Sequence, residues 1–208
     1  QYAWQLFDAL TVQPWSRELE DEALGMIENL SNADEPSRRL ASAVMALHIF
    51  DDRMGQARYN AKAKALEHPE ALTRTDLLAR QAEFLRLARE ELADRLGREM
   101  AKRSGPIVKW FDAERLYLNV LAGRDLAKAA PQCWEVLGPQ PRKVDLEAHP
   151  ELLLDEILRH RMLVTLSNLA CRKNAEAAMV QQLLKYIDQG IDLDKDNPQW
   201  KLLKYQLL

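Results

Sequence analysis

His48, Asp51 and Asp52 are the residues whose types and spacing are best suited to chemistry. Side chains three to four residues apart lie on one face of a helix, so the imidazole and the carboxylates stand one turn apart. Nitrogen and oxygen ligands arranged in this way can hold a divalent metal ion. The alternative is structural, with His48 half-buried and the two aspartates at the solvated end of a helix, and we favour it.

The pair Asp51-Asp52 resembles the aspartate-rich motif with which helical terpenoid and prenyl synthases hold magnesium and diphosphate. In that motif a further aspartate follows three residues after the second one, and Gly55 stands at this position. A helical metal-dependent enzyme or metal-binding domain centred on His48, Asp51 and Asp52 is therefore the alternative function.

Asp192, Asp194 and Asp196 have the alternate spacing of oxygen ligands that opens a calcium loop. An EF-hand also needs glycine at its sixth position and a bidentate glutamate at its twelfth. Asn197 and Leu203 occupy those positions. The segment is therefore predicted to be an acidic turn between two helices, in which Asp196 or Asn197 caps the last helix.

Signatures of nucleophilic or phosphate chemistry are missing from the sequence. It contains no GxSxG elbow and no glycine-rich phosphate loop, and it has only 7 glycines. Cys133 and Cys171 have no CxxC partner, so we interpret them as small apolar residues, with a single disulfide as the alternative. We predict that the protein is not an enzyme and that it needs no cofactor.

The composition favours an all-α protein that is rich in leucine and alanine, with 47% hydrophobic and 29% charged residues. A net charge of -3 argues against a protein whose main partner is nucleic acid. No apolar run approaches the roughly 18–20 residues of a membrane-spanning helix. The sequence predicts neither a compartment nor an oligomeric state.

Helix-breaking residues divide the chain into consecutive helices joined by short loops. Thr73 and Asp76 are typical of a capping box that opens a long helix, whereas Gly55 is predicted to separate two helices. The breaker cluster Gly138–Pro141 makes segment 138–149 the candidate boundary inside a single helical region spanning residues 1–208. Because the chain starts at Gln1 and stops inside an apolar helical pattern, we expect a piece of a larger polypeptide.

Three places in the chain resemble the tetratricopeptide repeat (TPR), a helix–turn–helix unit of about 34 residues. Ala57 with Pro69 and Ala129 with Pro141 reproduce the spacing of the family's alanine and proline positions, and residues 192–200 are similar to its inter-repeat turn. The resemblance implies antiparallel helical hairpins stacked as an irregular TPR-like α-solenoid, with a closed helical bundle as the alternative.

In the TPR family, the first helix of each hairpin lines a concave groove that binds other proteins. Carrying that register over implies a partner-binding lining of Arg39, Ser42, Phe111, Glu114, Leu118, Asn168 and Arg172. The function we predict is a non-catalytic protein–protein interaction or scaffolding module, whose partner is another protein or a neighbouring domain of the same polypeptide.

Overall fold

The structure, a computed structural model, describes residues 17–67 and 73–208, together with Gln5. These residues fold into α-helices joined by loops, and the described ranges contain no β-strand. The α-helices are α1 (Arg17–Ser31), α2 (Pro36–Ala65), α3 (Arg74–Met100), α4 (Pro106–Ala122), α5 (Leu126–Leu137), α6 (Leu153–Ala170), α7 (Ala177–Leu193) and α8 (Pro198–Leu207), and a 3-10 turn at Pro150–Leu152 precedes α6. The all-α prediction is confirmed.

Local signals in the sequence set several helix ends. At the start of α3, the Asp76 amide donates to Thr73 Oγ1 over 3.2 Å and the Thr73 amide donates to Asp76 Oδ2 over 3.1 Å, so the capping box is confirmed. Gly123 ends α4 with a φ of 85°, a left-handed conformation that suits glycine. Asn197 caps α8, because its Oδ1 accepts from the Gln199 amide over 3.0 Å.

Gly55 does not separate two helices, and that prediction is wrong. α2 continues through Gly55 from Pro36 to Ala65. One glycine inside a helix costs only about 1 kcal/mol relative to alanine, which tertiary packing easily offsets. Packing of this kind is present on both sides of Gly55, since Met45 before it and Ala61 after it are buried.

The helices pack on their neighbours in sequence and, in part, on helices further along the chain. Every helix contacts the next one, while α4 also contacts α6 and α6 also contacts α8. α1 contacts α4 as well, and α2 contacts both α6 and the 3-10 turn before it. α4 is therefore surrounded by α1, α3, α5 and α6, which explains why Trp110 and Phe111 are fully buried.

One hydrophobic core extends from Ala23 in α1 to Leu203 in α8. Segment 138–149 lies outside the α-helices, and the boundary predicted there stays a prediction. Among residues 17–67 and 73–208, no helix is both long enough and apolar enough to cross a membrane.

A polar cluster joins α1 to the turn between α3 and α4. Glu28 Oε1 accepts from the Ser104 amide over 2.7 Å and from Ser104 Oγ over 3.1 Å, while Glu28 Oε2 lies 3.4 Å from Arg103. Arg103 also pairs with the buried Glu99, which Lys102 approaches to 3.2 Å. Because the contacts of Glu28 with Arg103 and Ser104 connect residues far apart in sequence, they fix the position of α1 on the turn.

Candidate functional site

A groove of about 540 Å³ lies between α4, α6 and α8. We call it the α4–α6–α8 groove. Its lining consists of Tyr117 from α4, His160, Val164, Ser167, Asn168 and Cys171 from the α6 region, and Gln199, Leu202, Leu203 and Gln206 from α8. Cavities that bind ligands commonly have volumes of a few hundred Å³, so the groove is large enough for a segment of another molecule.

Helical periodicity explains which side chains reach the groove. From His160 to Cys171 the α6 residues recur at positions i, i+4, i+7, i+8 and i+11, and from Gln199 to Gln206 the α8 residues recur at i, i+3, i+4 and i+7. This spacing places each set along one face of its helix. The groove therefore forms where one face of α6 meets one face of α8, and Tyr117 contributes the wall from α4.

The lining is dominated by amide and apolar groups. Asn168 Nδ2 donates to the Val164 carbonyl over 2.8 Å, which leaves the amide oxygen of Asn168 available to accept. Cys171 Sγ donates to the Gln206 carbonyl over 3.4 Å and so joins α6 to α8 at one end. Leu202 is 58% exposed. These groups can bind a polar backbone and an apolar side chain at the same time.

His160 lines the groove as a neutral side chain at neutral pH. The His160 residue is exposed on its groove side, but desolvation by the surrounding helices lowers the pKa of its imidazole and the positive charge of Arg161 lowers it further. Both effects disfavour the imidazolium form, because each makes a positive charge at this position less stable. His160 therefore adds a hydrogen-bonding group to the groove without adding a charge.

Arg161 and Glu114 form an ion pair behind the groove wall. Arg161 Nε lies 2.9 Å from Glu114 Oε2, and the Glu114 side chain is 1% exposed. The Arg161 guanidinium also lies over two rings, 4.5 Å from the centroid of Tyr117 and 5.9 Å from that of Trp110. Cation–π contacts at these distances are favourable. Arg161 on α6 thus holds the Tyr117 ring of α4 in place.

A second cavity, of about 280 Å³, lies beneath segment 138–149. Ion pairs fasten this segment to the helices, since Arg142 reaches Glu156 over 2.5 Å and Lys143 reaches Asp194 over 2.7 Å. The Tyr186 hydroxyl donates to the Leu137 carbonyl over 3.3 Å. The polar groups around this cavity are thus largely engaged in holding the segment.

Segment 192–197 has a structural role in the described chain. Asp194 follows the end of α7 and pairs with Lys143, and Asn197 caps α8. Within the part of the chain that the structure describes, no three His, Cys, Asp or Glu side chains come together as a metal site.

The residues predicted to bind a partner are placed in three different environments. Asn168 lines the groove. Arg39 donates to the carbonyls of Ala33 and Asp34 over 3.4 and 3.2 Å, and Arg172 donates to the Val120 carbonyl. The remaining four are buried in the packed interior, namely Ser42, Phe111, Glu114 and Leu118. Partner binding through these seven residues stays a prediction, and the structure brings only Asn168 of them to the groove lining.

The three residues of the hypothesised metal site, His48, Asp51 and Asp52, all lie on α2. The His48 side chain is exposed. The side chains of Asp51 and Asp52 lie outside the described part of the structure, as does Pro69 of the TPR-like spacing. The metal-site hypothesis therefore stays a prediction.

The described part of the chain is all-helical and carries a solvent-accessible groove between three of its helices. Comparison with protein-family models, with curated proteins and with solved structures finds no match for this chain. The resemblance to the tetratricopeptide repeat therefore rests on the sequence positions alone and stays a prediction.

Proposed function

We propose that this chain is a non-catalytic protein–protein interaction module that binds an extended segment of a partner protein in the α4–α6–α8 groove. The observation that carries the proposal is the lining of the groove, in which α6 and α8 present amide and apolar side chains along matching faces.

The hydrogen-bonding groups favour an extended segment over a helix. A helix satisfies its own backbone N–H and C=O groups, whereas an extended segment needs partners for them. Asn168, Gln199 and Gln206 carry both a donor and an acceptor in each side chain and line the same groove. Leu202 and Val164 offer apolar surface to the side chains of such a segment.

We further propose that helices α4 to α8 stack as an irregular TPR-like α-solenoid. The contacts that support it are those of α4 with α6 and of α6 with α8, with α5 packing on α6 and α7 packing on α8. Alternating contacts of this kind are expected when helical hairpins stack in sequence order. The first helices differ, because the contact of α1 with α4 favours a closed four-helix arrangement there.

The test is a selection of peptides from a random display library on the full chain. Peptides that bind are then measured against Leu202→Asp, which places a charge in the groove. Leu78→Asp on α3 is the matched control, because Leu78 is 56% exposed and Leu202 is 58% exposed. We expect binding to weaken at least about tenfold in Leu202→Asp, since a buried unpaired charge opposes association, and to change little in Leu78→Asp.

Two results would overturn the proposal. One is a selection that enriches no peptide above an unrelated helical protein of similar charge. The other is an enriched peptide that binds the two variants equally well. Circular dichroism on each variant checks that it retains the helical fold, so a loss of binding through unfolding is recognised.

A further inference from the structure

The cavity beneath segment 138–149 adjoins the α4–α6–α8 groove. Both are lined by the same three side chains, His160 on α6 and Gln199 and Leu203 on α8. His160 and Gln199 are exposed, so the boundary between the groove and the cavity is accessible from solvent. Successive side chains of an extended segment point to opposite sides. A segment that lies in the groove can therefore place one of its side chains in the cavity.

The carboxylates around the cavity are already paired within the chain. Glu156 Oε1 accepts from Arg142 Nε over 2.7 Å, and Asp194 Oδ1 accepts from Lys143 Nζ over 2.7 Å. A polar occupant would have to compete with these ion pairs, whereas an apolar occupant would leave them intact. The apolar part of the lining consists of Leu137, Val144, Leu146, Leu163, Trp200 and Leu203.

Two aromatic side chains line the cavity, Tyr186 on α7 and Trp200 on α8. Their ring centroids are 6.2 Å apart, and Tyr186 also meets Trp134 on α5 edge to face, with the centroids 5.4 Å apart. Aromatic rings pack favourably at centroid distances of about 4.5–7 Å. A further ring in the cavity would extend this cluster.

The charges around the cavity favour an aromatic occupant over an aliphatic one. Arg142 and Arg159 share one carboxylate, since Glu156 lies 2.5 Å from Arg142 and 3.9 Å from Arg159. Lys143 and Asp194 compensate each other, so the lining carries one more positively charged side chain than negatively charged ones. The face of an aromatic ring attracts a cation, and an aliphatic side chain has no such attraction.

We propose that the cavity beneath segment 138–149 binds an aromatic side chain of the partner segment whose backbone lies in the α4–α6–α8 groove. The cavity volume of about 280 Å³ suits one large side chain, because cavities that enclose whole ligands measure about 300–1,000 Å³. Buried aromatic side chains are common anchors of protein interfaces. The inference rests on the proposed function for the identity of the occupant, although the cavity itself can be tested without any peptide.

The experiment titrates the full chain with three probes in separate arms, N-acetylphenylalanine amide, N-acetylleucine amide and N-acetylglutamate amide. The readout is the indole N–H signal of Trp200 in nuclear magnetic resonance spectra, assigned by comparison with Trp200→Phe. We expect the aromatic probe to shift this signal saturably. It should bind at least about fivefold more tightly than either of the other probes, because they lack the ring packing and the cation–π attraction.

Leu146→Asn makes one wall of the cavity polar. We expect it to weaken binding of the aromatic probe about fivefold, since apolar contact is lost. Leu87→Asn on α3 is the matched control, because Leu87 is 45% exposed and Leu146 is 37% exposed, and Leu87 lines neither the cavity nor the groove. It should leave binding unchanged, and circular dichroism checks that both variants retain the helical fold.

Three results would overturn the inference. The first is the absence of a saturable shift with the aromatic probe. The second is equally tight binding of the leucine or the glutamate probe, which would show that the cavity selects apolar bulk or negative charge instead of a ring. The third is equal binding of the aromatic probe by Leu146→Asn and the unmodified chain.

The two proposals fail in different ways. Binding of the aromatic probe without any enriched peptide would contradict the proposed function and leave the aromatic site standing. Enriched peptides that lack aromatic residues, or that bind Leu146→Asn and the unmodified chain equally well, would contradict the aromatic site and leave the groove standing.

Discussion

Arg161 Nε lies 2.9 Å from Glu114 Oε2, and this ion pair joins the two helices, α4 and α6, that form adjacent walls of the groove. The same guanidinium lies 4.5 Å from the centre of the Tyr117 ring, which belongs to the groove lining. A single side chain thus connects the interior of the fold to the surface that we propose binds a partner.

Glu114→Gln removes the negative charge and keeps the shape of the side chain. We expect it to lower the free energy of unfolding by about 1–3 kcal/mol, because Arg161 then loses its counter-charge in a mostly buried position. Chemical denaturation measures the change. Asp112→Asn is the control, since the side chains of the Asp112–Arg115 pair on the same helix are nearly half exposed and the pair should contribute less than about 1 kcal/mol. Equal effects of the two substitutions would contradict the structural role of Glu114.

Gly190→Ala tests the close approach of α7 and α8. A Cβ atom at Gly190 would lie 2.6 Å from Trp200 Cδ2, so the indole must move. We expect a loss of about 1–3 kcal/mol in the free energy of unfolding, although alanine is the better helix former. Gly55→Ala in α2 is the matched control, because a Cβ there meets no described atom within 4 Å. It should raise stability by about 0.5–1 kcal/mol, and a loss at that position would argue against the continuous helix.

Cys133 and Cys171 should differ strongly in reactivity. Both thiols are free, Cys133 is buried and Cys171 is exposed. Burial raises the pKa of Cys133 to about 12, so very little thiolate is present there at pH 8. Iodoacetamide followed by mass spectrometry should give one adduct on the native chain and two on the unfolded chain. Cys171→Ser should give none in the native state, and rapid native labelling of Cys133 would contradict its buried position.

Glu99 should make stability depend on acid pH. Burial opposes ionisation of its carboxyl, but the hydrogen bond from Lys102 and the charge of Arg103 outweigh burial and lower its pKa. A carboxyl whose pKa is lower in the folded state stabilises the fold above its unfolded pKa and loses that contribution as pH falls. Denaturation between about pH 5 and pH 3 should therefore show a steeper loss for the unmodified chain than for Glu99→Gln. The exposed Glu91 offers the control, as Glu91→Gln should keep the original slope.

Local signals in the sequence predict the helix ends well and the continuity of helices less well. The capping box of Thr73 and the Asn197 cap follow from hydrogen bonds between residues two or three apart, so a single stretch of sequence contains both partners. The continuation of α2 through Gly55 depends on tertiary packing along its length, which no local pattern contains.

The candidate site could be predicted only in part. Asn168, which the TPR-like register places on the binding face, lies on α6 and lines the groove, while the register itself stays a prediction. On α4, however, Leu118 is buried and the neighbouring Tyr117 lines the groove. One residue along a helix turns a side chain by about 100°, so the face that α4 buries depends on all the helices around it. The sequence does not identify Leu202 as a groove residue, because an exposed leucine on an amphipathic helix cannot be distinguished by pattern from a leucine of the buried face.

The most direct test of the central claim is a map of where a selected peptide binds. Amide chemical shifts of the full chain, recorded with and without the peptide, report which residues it contacts. We predict that the largest changes cluster at Tyr117, Asn168, Leu202 and Gln206. Changes concentrated instead on the outer face of α3, around Leu78 and Leu87, with none in the α4–α6–α8 groove, would contradict the account.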